Sequence, residues 1–241
     1  CASCLLPLGD VAGSHVVTVE GLSAGPALTL VQRLIVDHSA SQCGFCTPGI
    51  VLSLTGFCLT SPDWAYEDAV TALDGNLCRC TGYAAIRRAA RALADALAAA
   101  DPHPAGRLAT LVALEVWPAT YADIAARLAA LPPPTDDGRG VLVAGGTDLF
   151  VQRAEELATA PLRFLSRRKD LAEIRREGAL LHVGGAVTIE AFRRDPLVRA
   201  HFPSLETDLL LHSSTVLRNR ATLAGNLVNA SPIGDVSILL L

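Results

Sequence analysis

Two tight cysteine pairs, Cys43-Gly44-Phe45-Cys46 and Cys78-Arg79-Cys80, stand 31 residues apart in a chain of 241 residues with seven cysteines. A C-x-C pair suits a single tetrahedral zinc poorly, but it can place two thiolates on one iron of a [2Fe–2S] cluster. The spacing therefore points to one-electron chemistry. Thr47-Pro48 follows the first pair and Thr81-Gly82 the second. Threonine caps helices and proline suits the first helical position. Two helices are thus expected to start here, with their amides and positive dipole ends turned toward sulfur. Zinc stays open as the alternative. A disulfide is disfavoured because Cys78 and Cys80 cannot easily pair and the cysteine count is odd.

The strings Gln42-Cys43-Gly44-Phe45-Cys46-Thr47-Pro48-Gly49 and Gly75-Asn76-Leu77-Cys78-Arg79-Cys80-Thr81-Gly82-Tyr83 resemble the second [2Fe–2S] domain of the molybdenum hydroxylases, the family of xanthine dehydrogenases and aldehyde oxidases. The resemblance implies a small helical bundle with its cluster near one end, close to a molybdopterin. It implies Cys43, Cys46, Cys78 and Cys80 as ligands and Gln42 at the contact with the pterin. The opening Cys1-Ala2-Ser3-Cys4-Leu5-Leu6-Pro7-Leu8 is similar to the tail of the family's first, plant-type [2Fe–2S] domain. That cluster takes three ligands from a C-x4-C-x2-C loop and a fourth from such a tail. Cys4 is the expected fourth ligand, with Cys1 the alternative. The chain has no Met at all, so it reads as a fragment lacking its N-terminal part, on which the first cluster is not expected to assemble.

The elements that must position these residues are legible as periodicity. From 23 to 100 apolar residues recur at helical spacing (Leu28, Val31, Leu34, Ile35; then Ile50, Leu52, Leu54, Leu59), and Ala84 to Ala100 is a strong helix former. Four helices fit this length, with Cys58 inside the second as a buried thiol that packs like a small hydrophobe. Asp101-Pro102-His103-Pro104-Ala105-Gly106 breaks the pattern, and an interdomain linker is expected over 101–113. Beyond it, Thr120 to Leu131 reads as helix, 131–138 as a loop and Val141 to Ala144 as a short buried strand. The expected organisation is α+β and multidomain: a ferredoxin-domain remnant over 1–22, a helical cluster domain over 23–100, the linker, and a second domain from 114 to 241.

The strand at 141 runs into Gly145-Gly146-Thr147-Asp148, where two glycines allow positive φ and bring amides close to a phosphate. The G-x-G-x-x-G spacing of a Rossmann fold is missing, and a plain structural turn would also need glycine. The strings Leu181 to Ile189, Leu217 to Asn226 and Leu227 to Asp235, in that order, resemble the FAD domain of the same family, which has a vanillyl-alcohol-oxidase-type (PCMH-like) α+β fold. By that resemblance Ala144, Gly145, Gly146, Thr147 and Asp148 line the FAD pyrophosphate. Thr222, Gly225, Asn226, Ser231 and Asp235 contact its phosphate, ribityl or adenosine parts. Ala224 departs from the family, which often has glycine there, and the chain stops at Leu241, so the flavin site is expected to be incomplete.

With 51% hydrophobic residues, 18% charged residues and a net charge of −4, the composition predicts a soluble, cytoplasmic chain without a nucleic-acid surface, a signal peptide or a membrane span. The Arg167-Arg168-Lys169 run reads as a solvated turn. The six histidines lack ligand spacing and read as surface or core residues. A cluster domain followed by a flavin domain without a molybdenum domain resembles the small subunit of bacterial xanthine dehydrogenases. That resemblance implies a hetero-oligomer with a molybdopterin-binding large subunit, NAD⁺ as electron acceptor and no catalytic residue on this chain. The same role with aldehydes or other N-heterocycles, or a non-redox zinc-bound or regulatory module, are the alternatives.

Overall fold

The computed structural model describes residues 3–23, 25–100, 105–132, 138–166, 168–231 and 234–241. Contacts divide the chain into a helical unit, residues 13–132, and an α+β unit made of residues 1–12 and 133–241.

In the helical unit Thr29 opens α1 (Leu30–Asp37) with a capping box: its hydroxyl accepts from the Gln32 N–H, and the Gln32 side chain accepts from the Thr29 N–H. Two amides that a helix start leaves unpaired are thereby satisfied. Pro48 lies in the first turn of α2 (Thr47–Thr60), where its missing N–H costs nothing. α3 (Tyr66–Ala72) and α4 (Ala84–Ala98) follow. Ala85, Ala89 and Ala90 lie on the buried face of α4 with Ile86, Leu93 and Leu97, and α1 and α3 pack against this helix. Cys58 on α2 is fully buried, and burial pushes its thiol up to about 12, so it stays protonated at neutral pH.

The expected linker at 101–113 takes a different form. Residues 101–104 lie outside the described residues, and Arg107–Ala113 is a helix, α5, of the helical unit. Leu111 is buried in the same core as α2. Arg107 donates to the carbonyls of Cys58, Ser61 and Pro62 where α2 ends, and its guanidinium lies 4.7 Å from the centre of the Trp64 ring. α4 ends at Ala98, and the apolar spacing of Leu111 and Val116, both fully buried, returns the chain to the core. We expect Leu111→Ala to cost the helical unit about 2–5 kcal/mol, measurable as a lowered thermal midpoint. A short 3-10 turn (Ala119–Tyr121) and α6 (Ile124–Ala129) complete this unit, and the Tyr121 hydroxyl donates to the Gly21 carbonyl at 2.7 Å. Residues 13–22, expected in a separate remnant, therefore share the helical core through Leu22, while residues 3–12 belong to the other unit.

In the α+β unit β1 (Val141–Val143) pairs in parallel with β2 (Leu162–Phe164), Val141 opposite Leu162 and Val143 opposite Phe164. The crossover carries α7 (Leu149–Gln152) and α8 (Ala154–Leu157). β3 (Ile174–Glu177) and β4 (Leu180–Val183) form an antiparallel hairpin that turns at Gly178, φ +61°. Short helices follow: α9 (Ile189–Arg194), α10 (Pro196–His201), α11 (Leu205–Asp208), α12 (Thr215–Arg218), α13 (Leu223–Val228) and α14 (Asp235–Leu239). Their core is built from Val187, Ile189, Phe192, Val198, Leu205, Leu209, Leu223 and Val236. The hydroxyls of Thr188 and Thr222 cap α9 and α13, and the same two residues form an antiparallel bridge, which sets the two helix starts side by side. This is the expected α+β class. No helix among the described residues is long and apolar enough to cross a membrane.

Candidate functional site

The loops that lead into α2 and α4 bring the four cysteines together. Gly44 at φ +84° and Gly82 at φ +58° take left-handed turns that residues with a Cβ adopt at a cost. The second loop is tied to α2 because the Asn76 amide donates to the Ser53 hydroxyl at 2.8 Å, and Gly49 leaves room for Asn76. Cys43 Sγ lies 3.5 Å from Cys80 Sγ, and the Cys46 and Cys78 side chains interact. The C-x-C thiols thus each face a thiol of the other loop. Among the described residues no three His, Cys, Asp or Glu side chains converge on a point suited to a single metal ion. Two cross-loop pairs fit a two-iron, all-thiolate donor set better than one tetrahedral zinc. Gln42 is exposed beside them. Cys4 is exposed and belongs to the other unit, and Cys1 lies outside the described residues.

Thr81, expected to cap a helix, has another task. α4 starts only at Ala84, and the Thr81 oxygen accepts from the Tyr83 N–H at 3.2 Å while lying 3.2 Å from Cys78 Sγ. With its oxygen engaged as acceptor, its O–H is free to donate to sulfur. The Thr81 hydroxyl and then its N–H hold the Cys78 thiol down at about 7, so this buried sulfur favours the thiolate that metals require. Burial pushes Cys46 up. The Phe45 N–H, with Cys80 as second donor, lowers Cys43. In the metal-free chain, Thr81→Val is expected to slow alkylation of Cys78 at pH 7 several-fold, read site by site by peptide mass spectrometry, because its thiolate becomes the minor form.

In the α+β unit a cavity of about 720 Å³ is walled by both glycine-rich segments. Ala144, Gly145, Gly146, Thr147 and Asp148 come from the turn after β1. Thr222 caps α13, Gly225 and Asn226 lie within it, Ser231 lies in the loop after it, and Asp235 opens α14. All ten expected positions lie in this wall. A side chain at Gly145 would run into the Arg220 carbonyl, and Gly146 holds φ +74°, so glycine is required where the two segments touch. Asn226 Oδ1 and Ser231 Oγ are buried in the wall without a hydrogen-bond partner among the described residues. Each such atom costs about 1–3 kcal/mol unless a polar ligand satisfies it. A cavity of this size with unanswered polar atoms suits a large polar cofactor. Ala224 also lines the wall, beside Gly185.

Among the histidines that the sequence reads as surface or core residues, His212 takes a place at the candidate site. It is buried in the cavity wall with Nδ1 3.4 Å from Asp235 Oδ2, so it orients that carboxylate. No spacing pattern marks it. The segment that carries it is held by Arg218, fully buried on α12, which donates to the carbonyls of Leu210, His212 and Ser213 and pairs with Glu190 at 2.8 Å. Burial alone would raise the Glu190 carboxyl. The hydrogen-bonded guanidiniums of Arg193 and Arg218, with the charge of Arg194, hold it instead at about 2.

Two domain families match this chain. The family described as "[2Fe-2S] binding domain" matches residues 18–91, and the family described as "FAD binding domain in molybdopterin dehydrogenase" matches residues 113–241. A xanthine dehydrogenase of Dictyostelium discoideum is 45% identical over 93 residues, which is 38% of this chain and 7% of that protein. Aldehyde oxidase 3 of Rattus norvegicus is 43% identical over 91 residues, 37% of this chain and 7% of that protein. A crystal structure of quinoline 2-oxidoreductase from Pseudomonas putida 86 matches with 41% identity over 33% of this chain and 50% of that one, at a TM-score of 0.30. The chain thus spans only a small part of the curated relatives it matches. With a [2Fe–2S]-binding domain preceding a flavin domain matched over more than half its length, the chain belongs to the molybdopterin dehydrogenase family, as an iron–sulfur and FAD-binding portion of a molybdenum hydroxylase.

Proposed function

We propose that this chain is the electron-transfer module of a xanthine dehydrogenase, working with a molybdopterin-binding partner subunit and delivering electrons to NAD⁺. The observation that carries the reading is the presence of two matched sites on one chain: four cysteines paired across two loops, and a cavity whose wall contains all ten expected flavin positions. Support for the xanthine assignment comes from the name of the Dictyostelium relative. When bound, a [2Fe–2S] cluster exchanges single electrons and FAD collects two of them for a hydride acceptor.

The residues of the chain bind, orient and exclude water. Cys43, Cys46, Cys78 and Cys80 would hold the cluster, and the Thr81 hydroxyl would stay bonded to one ligand sulfur. Cys4 would contribute to a second cluster. The turn from Ala144 to Asp148 would hold the pyrophosphate on backbone amides. Asn226, Ser231 and Asp235 would bond the remaining polar groups, with His212 steadying Asp235. In this reading the molybdenum partner binds the substrate to be hydroxylated, so xanthine and aldehyde oxidation are told apart by assaying the assembled complex with both.

Iron, acid-labile sulfide and FAD analysis of the anaerobically purified chain tests the proposal. We expect about two irons and two sulfides at the four-cysteine site, together with bound FAD. Zinc without sulfide would overturn the electron-transfer reading.

A further inference from the structure

The N-terminal segment Ser3–Val11 packs within the α+β unit, and its contacts meet at the flavin cavity. Leu5 forms part of the cavity wall. Gly9 lies so close to β2 that a Cβ there would come within 2.9 Å of Phe164 Cε2. Asp10, although charged, is buried. One carboxylate oxygen accepts from the Ser166 hydroxyl at 2.5 Å, and the other pairs with Nη1 of Arg220. Arg220 Nε and Nη2 are buried without partners among the described residues, so compensation of that guanidinium falls on Asp10.

Ser166 and Arg220, two partners of Asp10, lead directly into the cavity. Ser166 follows Leu165, whose N–H bonds to the Val143 carbonyl at 2.8 Å and whose side chain lines the cavity. The Arg220 carbonyl lies against Gly145, and two residues on, Thr222 caps α13. One carboxylate thus joins the N-terminal segment to the two chain segments that form the flavin cradle.

We propose that Asp10 is a positioning residue for the flavin site, acting through Arg220 and Ser166, and that the segment from Leu5 to Asp10 forms one wall of that site. The inference rests on the flavin reading of the cavity. Removing one member of a buried ion pair leaves the other charge uncompensated, whereas removing both is often nearly neutral. The N-terminal segment and the flavin cradle are then coupled: displacing the first loosens the second.

The test is titration of FAD into the FAD-depleted 241-residue chain, followed by flavin fluorescence and the visible flavin spectrum, with thermal melting of the FAD-free chain alongside. Asp10→Asn is expected to weaken FAD binding by about tenfold or more, Asp10→Glu to recover much of it, and Asp10→Asn/Arg220→Met to bind more tightly than Asp10→Asn alone. Leu5→Ala, which touches no charge, is expected to weaken binding a few-fold. Binding within about twofold of the unaltered chain in both Asp10→Asn and Leu5→Ala would overturn the inference while leaving the flavin reading intact. Loss of binding that only tracks unfolding of the FAD-free chain, without recovery in the double variant, would overturn it too. Failure of the unaltered chain to bind FAD would sink the flavin reading and this inference with it.

Discussion

Cys43→Ser is expected to empty the four-cysteine site of iron and sulfide while FAD stays bound. Cys43 Sγ is one half of the cross-loop pair with Cys80, 3.5 Å away, and the Phe45 N–H and Cys80 lower its thiol. A serine hydroxyl in its place is a harder ligand that resists deprotonation, and soft thiolates are what select iron–sulfur clusters. Among the described residues, those that line the flavin cavity belong to the other unit, so its ligand should remain. Iron at this site should fall from about two atoms per chain to nearly none, with the cluster's visible absorption lost and the flavin bands kept. Cys4→Ser, altering an exposed thiol in the α+β unit, should leave that iron unchanged. Iron retained in Cys43→Ser would remove Cys43 from the ligand set, and loss of both cofactors would argue against two independent sites.

Arg218→Met should destabilise the α+β unit by about 1–3 kcal/mol, the cost of freeing the buried carbonyls it held and of removing one of the three guanidiniums that face Glu190. Arg218 is fully buried, and Glu190 is buried among Arg193, Arg194 and Arg218. The pH dependence follows from the depressed carboxyl. Glu190 sits at about 2 in the folded chain against an ordinary 4.5, so its contribution is fully present above about pH 4.5 and is lost as pH falls through about 2. Denaturant unfolding at pH 7 and pH 3 should therefore show a smaller Arg218→Met penalty at the lower pH. An equal penalty at both would mean that Arg218 acts only through the carbonyls of Leu210, His212 and Ser213. Because those carbonyls belong to the segment that carries His212, Arg218→Met should also weaken FAD binding.

The cysteine spacing and the small-residue strings are local patterns, and local patterns survive in a sequence. Spacing fixes which thiols can share a loop, and glycine marks where a backbone must approach a neighbour, as at Gly145 against Arg220. The helices from Leu30 to Ala98 were legible for the same reason, since apolar periodicity is carried by neighbouring residues. Tertiary structure decided what depends on distant partners. It paired Cys43 with Cys80 and not Cys80 with Cys78. It placed Thr81 on a sulfur rather than at a helix cap, because α4 begins two residues later than a cap at Thr81 would start it. It drew 107–113, read as linker, into the helical core, where Leu111 is buried. It also put His212 in the cavity wall and Asp10 against Arg220, 210 positions apart, and a contact at that separation leaves no periodicity in the sequence to read.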